Sequence, residues 1–273
     1  MSCSCRRTAL LPLLLLLLLA GCHTGRNYSS PEGPRYAGGP PAASVTGGDT
    51  TRIKVVSFNV EFSQRIDSAI ALLRRDSVLR DADVVLLQEM NEEATQQVAD
   101  SLGLSYVYYP AIYHYRTHQL FGNTVLSRWP IVEDRKLVLP HLSRFVRTQR
   151  TATAATVRVG SSLVRVYSTH LGTMGDLGSG GRRDQLRAIL KDAARYSRVI
   201  IGGDMNDAGV GRVARDAGFL WPTEHGPPTS RLGRLDHIFL KGFISPDSGA
   251  SGAVLDVGHA SDHLPVWAVG IFR

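Results

Sequence analysis

The sequence predicts one α/β domain, of the α+β kind, in which mixed β-sheets are accompanied by a few helices. Short apolar runs bounded by glycine or polar residues, which are typical of strands, recur throughout 52–273. Only a few stretches show the helical period, and they lie between the strand-like runs. The chain has 273 residues with no internal repeat and no second linker, so we expect a single domain over 52–273.

The first 21 residues resemble a bacterial lipoprotein signal peptide. Arg6 and Arg7 precede an unbroken leucine run over 13–19, which is too short to span a bilayer as a helix. The Leu-Ala-Gly-Cys sequence that ends at Cys22 resembles a lipobox. This resemblance implies cleavage after residue 21 and attachment of lipid to Cys22.

The segment 22–51 is predicted to be a flexible tether, because it is rich in Gly, Pro, Ser and Thr and has little apolar periodicity. The three cysteines are Cys3, Cys5 and Cys22, so a metal site within 52–273 must use oxygen and nitrogen donors. A histidine, rather than an aspartate, directly after Cys22 favours delivery to the outer membrane. We therefore expect an exported protein that is lipid-anchored in the bacterial cell envelope.

The order of elements within 52–273 follows from the apolar patterns. A continuous apolar run such as 84–87 indicates a buried strand, whereas an apolar face that includes Leu186, Ile189 and Leu190 indicates a helix. We predict helices over 66–79, 92–102, 181–195 and 210–217. We predict strands over 53–59, 84–87, 106–109, 123–126, 131–139, 151–159, 163–170, 199–204, 235–240, 253–257 and 265–272.

Polar side chains that can bind a metal or move a proton lie at the predicted strand ends. The apolar run 199–201 leads into two glycines, and Asp204 and Asn206 follow, where both can reach the same space across a turn. A simpler explanation exists for each such residue alone, because Asp and Asn favour turns and a histidine can be part of a core. Their coincidence at six strand ends favours a catalytic cleft. The other strand ends carry Asn59, Glu61, Gln88, Glu89, His170, Asp236, His237, Asp262 and His263.

Seven short motifs occur in a fixed order. They are Phe58-Asn59-Val60-Glu61, Gln88-Glu89, Gly122-Asn123, Ser168-Thr169-His170-Leu171, Gly203-Asp204-Met205-Asn206, Leu235-Asp236-His237 and Ser261-Asp262-His263-Leu264. In kind and order they resemble the motifs of the endonuclease/exonuclease/phosphatase superfamily, whose members are DNase I-like. The resemblance covers roughly 53–273. It implies a four-layer α/β/β/α sandwich of two mixed β-sheets, with the active site at one end of the sheets.

The resemblance implies a metal site as well. Glu89 is the best candidate ligand, with Asn59, Glu61 and Asp262 around it. Oxygen donors of this kind suit Mg²⁺ or Mn²⁺, and they also accept Ca²⁺. Such an ion would polarise a phosphoryl oxygen and stabilise the negative charge that develops during hydrolysis.

The catalytic roles follow from the same motifs and from side-chain chemistry. His263, with an unperturbed pKa of about 6.5, is the candidate general acid or base, and Asp236 would orient it. Asp204 would align or deprotonate the attacking water, and Asn206 would hold a phosphoryl oxygen. His170 would be the second imidazole, acting on a phosphoryl or leaving oxygen.

The substrate is less well defined by the sequence. The formal net charge is +7, and removal of Arg6 and Arg7 leaves 29 basic and 24 acidic residues, or +5, which favours an anionic partner. We predict that Asn123, Arg150 and His118 bind the substrate, because each lies in a motif or in a basic segment. The alternative is that these basic segments are ordinary surface loops, which can have the same composition.

Three functions remain open on the sequence alone. The first is a metal-dependent phosphodiesterase of the nuclease type, anchored at the bacterial envelope and acting on a phosphodiester or phosphomonoester substrate such as nucleic acid. The second is an inositol-phosphate phosphatase or a sphingomyelinase-like lipid phosphodiesterase. The third is a non-catalytic envelope binding protein, which would have no need for both metal and histidine positions. We expect a monomer in each case.

Overall fold

The computed structural model describes residues 25–40, 49–246 and 249–273. The larger of its two sheets has the order β1-β5-β6-β4-β3-β14-β12, in which β2 also pairs with β5 and β13 with β14. Its strands are β1 (Gly25–Asn27), β2 (Tyr36–Gly38), β3 (Arg52–Asn59), β4 (Val84–Met90), β5 (Ser105–His114), β6 (Gln119–Ser127), β12 (Phe243–Ile244), β13 (Ser251–Ala253) and β14 (Val266–Phe272).

The smaller sheet has the order β11-β10-β9-β8-β7. Its strands are β7 (Ile131–Leu142), β8 (Gln149–Val159), β9 (Ser162–His170), β10 (Val199–Asp204) and β11 (Asp236–Lys241). The helices of the described chain are α1 (Ile66–Arg75), α2 (Glu92–Leu102), α3 (Ser179–Ala193) and α4 (Gly211–Asp216), and a 3-10 turn covers Glu61–Ser63.

The packing of apolar side chains divides the molecule into four layers, as the resemblance implies. One buried cluster, which includes Phe58, Leu87 and Val98, joins α1 and α2 to the outer face of the larger sheet. A second lies between the two sheets and includes Val55 and Val166. A third joins α3 and α4 to the outer face of the smaller sheet. The predicted α/β/β/α sandwich of two mixed sheets is therefore confirmed.

The direction of the strands brings polar residues to one edge of each sheet. In the larger sheet β3 and β4 are parallel, and both end at this edge with Asn59 opposite Gln88. In the smaller sheet β9 and β10 are parallel and end with His170 opposite Asp204. The antiparallel strand β11 begins at the same edge, so that Asp236 lies opposite Asp204.

The first predicted helix is shorter than the apolar pattern suggests. It ends at Arg75 rather than at residue 79, because Asp76 takes an extended backbone conformation. The carboxylate of Asp76 then accepts hydrogen bonds from the backbone N–H groups of Val78 and Leu79. Leu79 nevertheless remains in the core at 1% exposure. A local turn has thus replaced the last helical turn without exposing the apolar side chain.

The described part of the predicted tether does not run free of the domain. Strands β1 and β2 both pair with β5, and Lys136 Nζ donates hydrogen bonds to the carbonyls of Tyr28 and Gly33 at 2.9 and 2.7 Å. The prediction of a flexible tether is wrong for residues 25–38, which we call the N-terminal strap. Its strands are only three residues long, so they leave no periodic pattern, and the exposed edge of β5 supplies their backbone partners.

The predicted signal peptide and lipidation site precede the first described residue, Gly25. The leader and Cys22 lie outside the described residues. Within the described residues, no helix has both the length and the apolar character that a membrane span requires.

Candidate active site

Asp204 lies at the centre of a buried polar cluster that draws on both sheets. Its Oδ2 atom is 3.2 Å from Asn59 Nδ2, 3.3 Å from His170 Nε2 and 3.8 Å from His263 Nε2. Its Oδ1 atom accepts a hydrogen bond of 2.9 Å from the backbone N–H of Asn206. Asp204 is only 2% exposed. The structure therefore brings four other sequence-predicted site residues to the Asp204 carboxylate: Asn59, His170 and His263 near Oδ2, and Asn206 at Oδ1.

Two glycines before Asp204 allow the sheets to approach one another. A Cβ on Gly202 would lie 2.6 Å from Leu86 Cδ1 of the facing sheet. Gly203 has a φ of +153°, and a Cβ there would lie 1.8 Å from the carbonyl oxygen of Thr169. A larger residue at position 203 would therefore separate β10 from β9 at the point where Asp204 and His170 meet.

Asp236 and His263 form a tightly bonded pair next to Asp204. Asp236 Oδ2 and His263 Nδ1 are 2.8 Å apart, and the Asp236 side chain is fully buried. Burial opposes protonation of His263. The hydrogen bond and charge of Asp236, together with the charge of Asp204, outweigh burial and raise the pKa of His263 to about 10. His263 is therefore an imidazolium at neutral pH, with Nε2 directed at Asp204.

Asp204 itself has a raised pKa. Its burial is the largest cause, and the negative charges of Asp236 and Glu89 add to it, whereas the charge of His263 opposes it. A carboxylate whose pKa moves from its ordinary value toward neutrality is a better proton acceptor under working conditions.

Glu89 is held in place by neutral donors. Its Oε1 accepts a hydrogen bond from Asn59 Nδ2 at 3.1 Å, and its Oε2 accepts one from the backbone N–H of Phe62 at 3.0 Å. Burial raises the pKa of Glu89, although the Asn59 amide and the charge of Arg150 oppose the shift. The side chains around Glu89 therefore offset only part of the free-energy cost of burying its charge.

The Glu89 environment fits a hard divalent cation. Two carboxylates, Glu89 and Asp204, share the amide nitrogen of Asn59, and a cation would offset this concentration of negative charge. The oxygen of Asn59 accepts a hydrogen bond from the backbone N–H of Glu61 at 3.1 Å, so Asn59 orients Glu89 through its nitrogen. Asn59 thus has a positioning role in this arrangement, in addition to the ligand role that we predict for it.

A different group of possible metal ligands is already bonded internally. Single ligand atoms of Asp204, Asp236 and His263 lie within 4.8 Å of one another. However, the Asp236 oxygen and His263 Nδ1 form the 2.8 Å hydrogen bond described above. A hydrogen-bonded acid–imidazole pair explains this group better than a metal site does, and Glu89 therefore stays the predicted metal ligand.

The other two predicted metal ligands lie at the rim of an adjoining cleft of about 550 Å³. Glu61 forms an ion pair with Arg65, and both residues line the cleft. Asp262 is exposed and lines the same cleft beside His263. The structure therefore brings Glu61 and Asp262 to the mouth of the site, while Asn59 and Glu89 lie in its buried part.

His170 has both ring nitrogens buried between acids. Nδ1 is 3.7 Å from Glu89 Oε1 and Nε2 is 3.3 Å from Asp204 Oδ2, but neither contact is aligned as a hydrogen bond within the described residues. Burial and the positive charges of Arg150 and His263 lower the pKa of His170 well below its ordinary value. His170 is therefore a neutral imidazole, in contrast to His263.

Several backbone conformations in the cluster are unusual for residues other than glycine. Positive φ angles occur at Glu61 (47°), Phe62 (55°), Glu89 (62°) and Asn206 (50°). At Glu89 the pairing of β4 with β6 also shifts register between Gln88 and Met90. Such conformations are costly and persist where the surrounding contacts enforce them, which often occurs in active sites.

The two predicted amide residues hold neighbouring segments in place. Asn206 Nδ2 donates a hydrogen bond to the carbonyl of Leu171 at 3.1 Å, which ties the end of β10 to the end of β9. Asn123 Nδ2 donates to the carbonyl of Thr151 at 2.9 Å, and Asn123 Oδ1 is buried without a hydrogen-bond partner in the described chain. Both residues therefore lie close to the cluster and position its strands.

The remaining substrate-binding candidates differ in position. Arg150 is close enough to affect the pKa of Glu89 and His170, and its guanidinium lies 5.7 Å from the Phe121 ring centre. His118 lies in the exposed turn between β5 and β6. It precedes Asn123 by five residues, or about 16 Å along a strand with a rise of about 3.3 Å per residue. The structure thus brings Arg150, but not His118, to the cluster.

An aromatic cavity of about 210 Å³ adjoins the cluster on the Arg150 side. Phe62 and Phe121 line it with their ring centres 5.1 Å apart, and Phe121 lies 5.9 Å from the ring centre of His170. Arg150 and His114 also line the cavity. It offers an apolar surface, with the positive group of Arg150, beside His170.

Two residues that support the site have no role among the sequence-based predictions, although Ser261 belongs to one of the motifs. Ser261 Oγ donates a hydrogen bond to the carbonyl of Asn59 at 2.7 Å and accepts one from the backbone N–H of His263 at 3.1 Å. Thr229 Oγ1 accepts a hydrogen bond from the backbone N–H of Asp236 at 3.1 Å. The serine two positions before His263 is a recognisable turn signal. No local pattern links Thr229 to Asp236.

Residues 56–263 match the model of a family described as the Endonuclease/Exonuclease/phosphatase family. The match begins in β3 and ends at His263, so it spans every residue of the cluster described above. None of the curated proteins matches the chain.

Solved structures with the same fold include proteins from several organisms. An endonuclease/exonuclease/phosphatase from Beutenbergia cavernae is 19% identical with a TM-score of 0.63, over 81% of this chain and 72% of that chain. D. rerio TDP2 in complex with a single-strand DNA product is 20% identical with a TM-score of 0.64, over 81% and 99%. The human Nocturnin catalytic domain with a bound sulfate anion is 17% identical with a TM-score of 0.63, over 88% and 98%. At these identities the likeness establishes the fold.

Proposed function

Because the chain belongs to the endonuclease/exonuclease/phosphatase family, we propose that it is a metal-dependent phosphodiesterase of the nuclease type, anchored at the bacterial envelope. Members of this family are phosphoesterase hydrolases that generally use divalent metal ions. The observation that carries the proposal is the convergence of Glu89, Asp204 and the Asp236–His263 pair at one edge of the two sheets. Hydrolysis of a phosphodiester requires an acid, a base and charge neutralisation, and this cluster can supply all three.

His263 supplies the acid. Its imidazolium keeps Nδ1 bonded to Asp236, which leaves the Nε2 proton free to point into the site. When the bond between phosphorus and the leaving oxygen breaks, this proton can pass to the leaving oxygen or hold a phosphoryl oxygen by a charge-assisted hydrogen bond. Asp236 stabilises the protonated form and fixes the orientation of the ring.

Asp204 supplies the base. Its raised pKa brings the carboxylate closer to the pKa range in which a base works at neutral pH, and Asn59 and Asn206 fix both of its oxygens. A water molecule next to Oδ2 would lose a proton to Asp204 as it attacks phosphorus. The neutral His170, beside the same oxygen, can donate to or accept from the water or the phosphoryl group.

A divalent ion, when bound, would neutralise charge on the phosphoryl oxygens. Glu89 would hold it, with Glu61 and Asp262 placed at the cleft to add ligands or bind its water molecules. Mg²⁺ and Mn²⁺ suit this oxygen-rich set best, and Ca²⁺ fits the same donors. Asn59 keeps the Glu89 carboxylate in place through its amide nitrogen.

Nucleic acid is the first substrate class to test. The basic balance of the chain and the Arg144, Arg147 and Arg150 group favour a polyanion. The aromatic cavity beside His170 offers rings on which a base can stack. The structure of D. rerio TDP2 with a single-strand DNA product provides a precedent within the fold.

A lipid phosphodiester or an inositol phosphate is the second candidate. The N-terminal strap favours it, because β1 places Gly25, only three residues after Cys22, opposite His114 at the edge of the aromatic cavity. A lipid on Cys22 would therefore keep the substrate site close to a membrane. We propose that lipid anchor, delivery to the outer membrane and a monomeric state accompany either activity.

A substrate panel distinguishes these activities. Protein from Gly25 onward would be assayed with Mg²⁺ or Mn²⁺ against plasmid DNA, RNA, sphingomyelin and inositol phosphates, with Glu89→Gln as the control. Metal-dependent cleavage of nucleic acid that the variant lacks supports a nuclease. Release of headgroups or phosphate with intact plasmid moves the assignment to the lipid or inositol-phosphate branch. A protein that hydrolyses none of the substrates in the panel would contradict both the nuclease activity and the lipid or inositol-phosphate activity.

A further inference from the structure

The N-terminal strap enters the larger sheet beside the aromatic cavity. In β1, Gly25 pairs with His114, Arg26 with Tyr113 and Asn27 with Ile112. The side chain of Asn27 also bridges to the loop before β8, since Nδ2 donates to the carbonyl of Arg147 at 2.8 Å and Oδ1 accepts from the backbone N–H of Gln149 at 2.8 Å. The first described residue of the chain is thus fixed between the β5–β6 hairpin and the loop over 143–148.

The distance from this point to the lipid-bearing residue is short. Gly25 lies three positions after Cys22. Even a fully extended chain spans no more than about 3.6 Å per residue, so Cys22 lies within about 11 Å of Gly25. A lipid on Cys22 would hold the hairpin tip and the 143–148 loop near the bilayer, because the strap is bound to the sheet and cannot act as a long spacer.

The surface around this point has the composition of a membrane-contacting patch. Phe145 is 64% exposed and Tyr115 is 49% exposed. Four exposed arginines lie on the strap, on the hairpin turn and on the 143–148 loop, and one of them, Arg144, lies 5.4 Å from the Phe145 ring centre. Asp176 is the acidic residue that contacts the loop, where its carboxylate accepts the backbone N–H of Phe145. We name the patch the basic aromatic rim, consisting of Arg26, Tyr115, Arg116, Arg144, Phe145 and Arg147.

We propose that the basic aromatic rim rests on the anionic bilayer that carries the Cys22 lipid and directs the active-site cavity toward that bilayer. Aromatic rings favour the interface between headgroups and hydrocarbon, and arginines favour anionic headgroups. A single lipid anchor restricts distance but not orientation, and the rim supplies the second attachment that fixes orientation. This inference rests on the proposed lipidation of Cys22, and it holds for either substrate branch.

The consequence for the enzyme concerns access to the substrate. The cavity lies between the two parts of the rim, since His114 and Val146 both line it, and Phe121 connects it to His170. A phosphodiester at the membrane surface would enter through this cavity without leaving the headgroup layer. Nucleic acid would approach the cluster along the cleft beside Glu61 and Asp262, with a base stacked on the rings of the aromatic cavity.

The chain contains a matched control at the opposite end of the molecule. Leu163 is 52% exposed and lies near the start of β9, whereas His170 is its last residue. Seven residues at about 3.3 Å each separate the two by roughly 23 Å along the strand. Leu163 is therefore an exposed apolar residue on the face that the proposal directs away from the bilayer.

Depth-dependent quenching tests the orientation. The full-length lipidated protein would be purified with Tyr115→Cys, Phe145→Cys or Leu163→Cys and placed in vesicles of phosphatidylethanolamine and phosphatidylglycerol. After removal of the leader, Cys22 is the only native cysteine and carries lipid, so the introduced thiol takes the fluorophore alone. Nitroxide groups on the lipid chains should quench the labels at 115 and 145 severalfold more than the label at 163.

Equal quenching at all three positions, or stronger quenching at 163, would overturn the proposal. Mass spectrometry of the N-terminal peptide would report the lipid itself, and an unmodified Cys22 would remove the premise. Activity in the substrate panel is a separate measurement. Strong quenching at 115 and 145 in a protein without phosphodiesterase activity would leave the orientation intact and refute the proposed function alone. All three sites are exposed, and unchanged unfolding temperatures would confirm that the variants fold.

Discussion

At the residue scale, the chemistry depends on how neighbouring side chains set the charge of two histidines. His263 contacts a buried carboxylate through Nδ1 and is held protonated, while His170 has no aligned hydrogen bond to its ring among the described residues and is held neutral. Both lie within 4 Å of Asp204 Oδ2. Asp204 Oδ2 thus faces the charged imidazolium of His263 and the neutral imidazole of His170. This difference in charge gives the two histidines different roles, with His263 as the acid.

Asp236→Asn tests this assignment. The folded-state pKa of His263 is about 10 and its unfolded value is about 6.5, so its contribution to stability is complete below pH 6.5 and declines as the pH rises toward 10. Removal of the Asp236 charge should reduce this decline, because the charge of Asp204 alone then raises the pKa of His263 less. It should also lower stability at pH 6 by a few kcal/mol, on the order expected for a broken buried pair, and reduce turnover by about 10²-fold or more.

The measurement is the unfolding free energy at pH 6, 8 and 10, together with turnover at pH 7. Asp216→Asn, at an exposed position, is the control and should match the wild-type protein. A variant at Asp236 that keeps the wild-type pH dependence of stability would show that the Asp236–His263 bond does not set the charge of the histidine.

The sequence predicts the reacting residues better than the residues that hold them. Asp204, Asp236 and His263 occur in short motifs at strand ends, and the structure brings them together. The orientation of Asn59 toward Glu89 depends on a backbone N–H at Glu61, and Thr229 reaches Asp236 from a separate loop. Such contacts arise only when distant segments pack, so no local pattern could predict them.

At the element scale, the edges of two mixed sheets position the site and the N-terminal strap closes one flank. Two parallel strand pairs bring Asn59 opposite Gln88 and His170 opposite Asp204. This explains why the apolar runs and strand-end motifs were sufficient to predict a shared cleft. For the N-terminal strap, by contrast, the sequence predicts a flexible tether. Its glycines and prolines are typical of linkers, and its two strands form only because β5 offers a free edge and Lys136 and Asp134 bind the segment between them.

Lys136→Met tests the binding of the strap. Lys136 is 2% exposed, and its loss would leave the carbonyls of Tyr28 and Gly33 without their donor. A buried unpaired polar group costs about 1–3 kcal/mol, so the strap should detach more often and trypsin should cleave after Arg26 and Arg35 roughly ten times faster or more, since about 1.4 kcal/mol corresponds to a factor of ten.

Limited proteolysis followed by mass spectrometry measures this rate. Arg158→Met, at an exposed position of the neighbouring sheet, removes a charge without touching the strap and should leave cleavage unchanged. If both variants are cleaved like the wild-type protein, the strap is held by its strand pairing alone.

At the scale of the whole molecule, the sandwich joins three features on one side. The buried polar cluster lies where the two sheet edges meet, the aromatic cavity adjoins it, and the N-terminal strap pairs with the sheet beside that cavity. The motifs predict the fold, and they predict that the polar residues of the cluster lie at strand ends. They could not predict the position of the chain entry relative to the cavity, which depends on the pairing of two short strands.

The proposed metal dependence of phosphodiester hydrolysis can be measured with bis-p-nitrophenyl phosphate as the substrate. Turnover would be measured with Mg²⁺, with Mn²⁺ and with a chelator, for the wild-type protein and for Glu89→Gln. The glutamine keeps the shape of the side chain, and because burial already disfavours the Glu89 charge, the variant should fold normally. Its unfolding temperature provides the check.

We predict turnover that requires the metal and falls by about 10²–10³-fold in Glu89→Gln, as expected when a group that stabilises transition-state charge is lost. We also predict that the metal raises the unfolding temperature of the wild-type protein but not of the variant. Hydrolysis that persists in the chelator and is equal in both proteins would contradict the assignment of Glu89 and the metal-dependent function together.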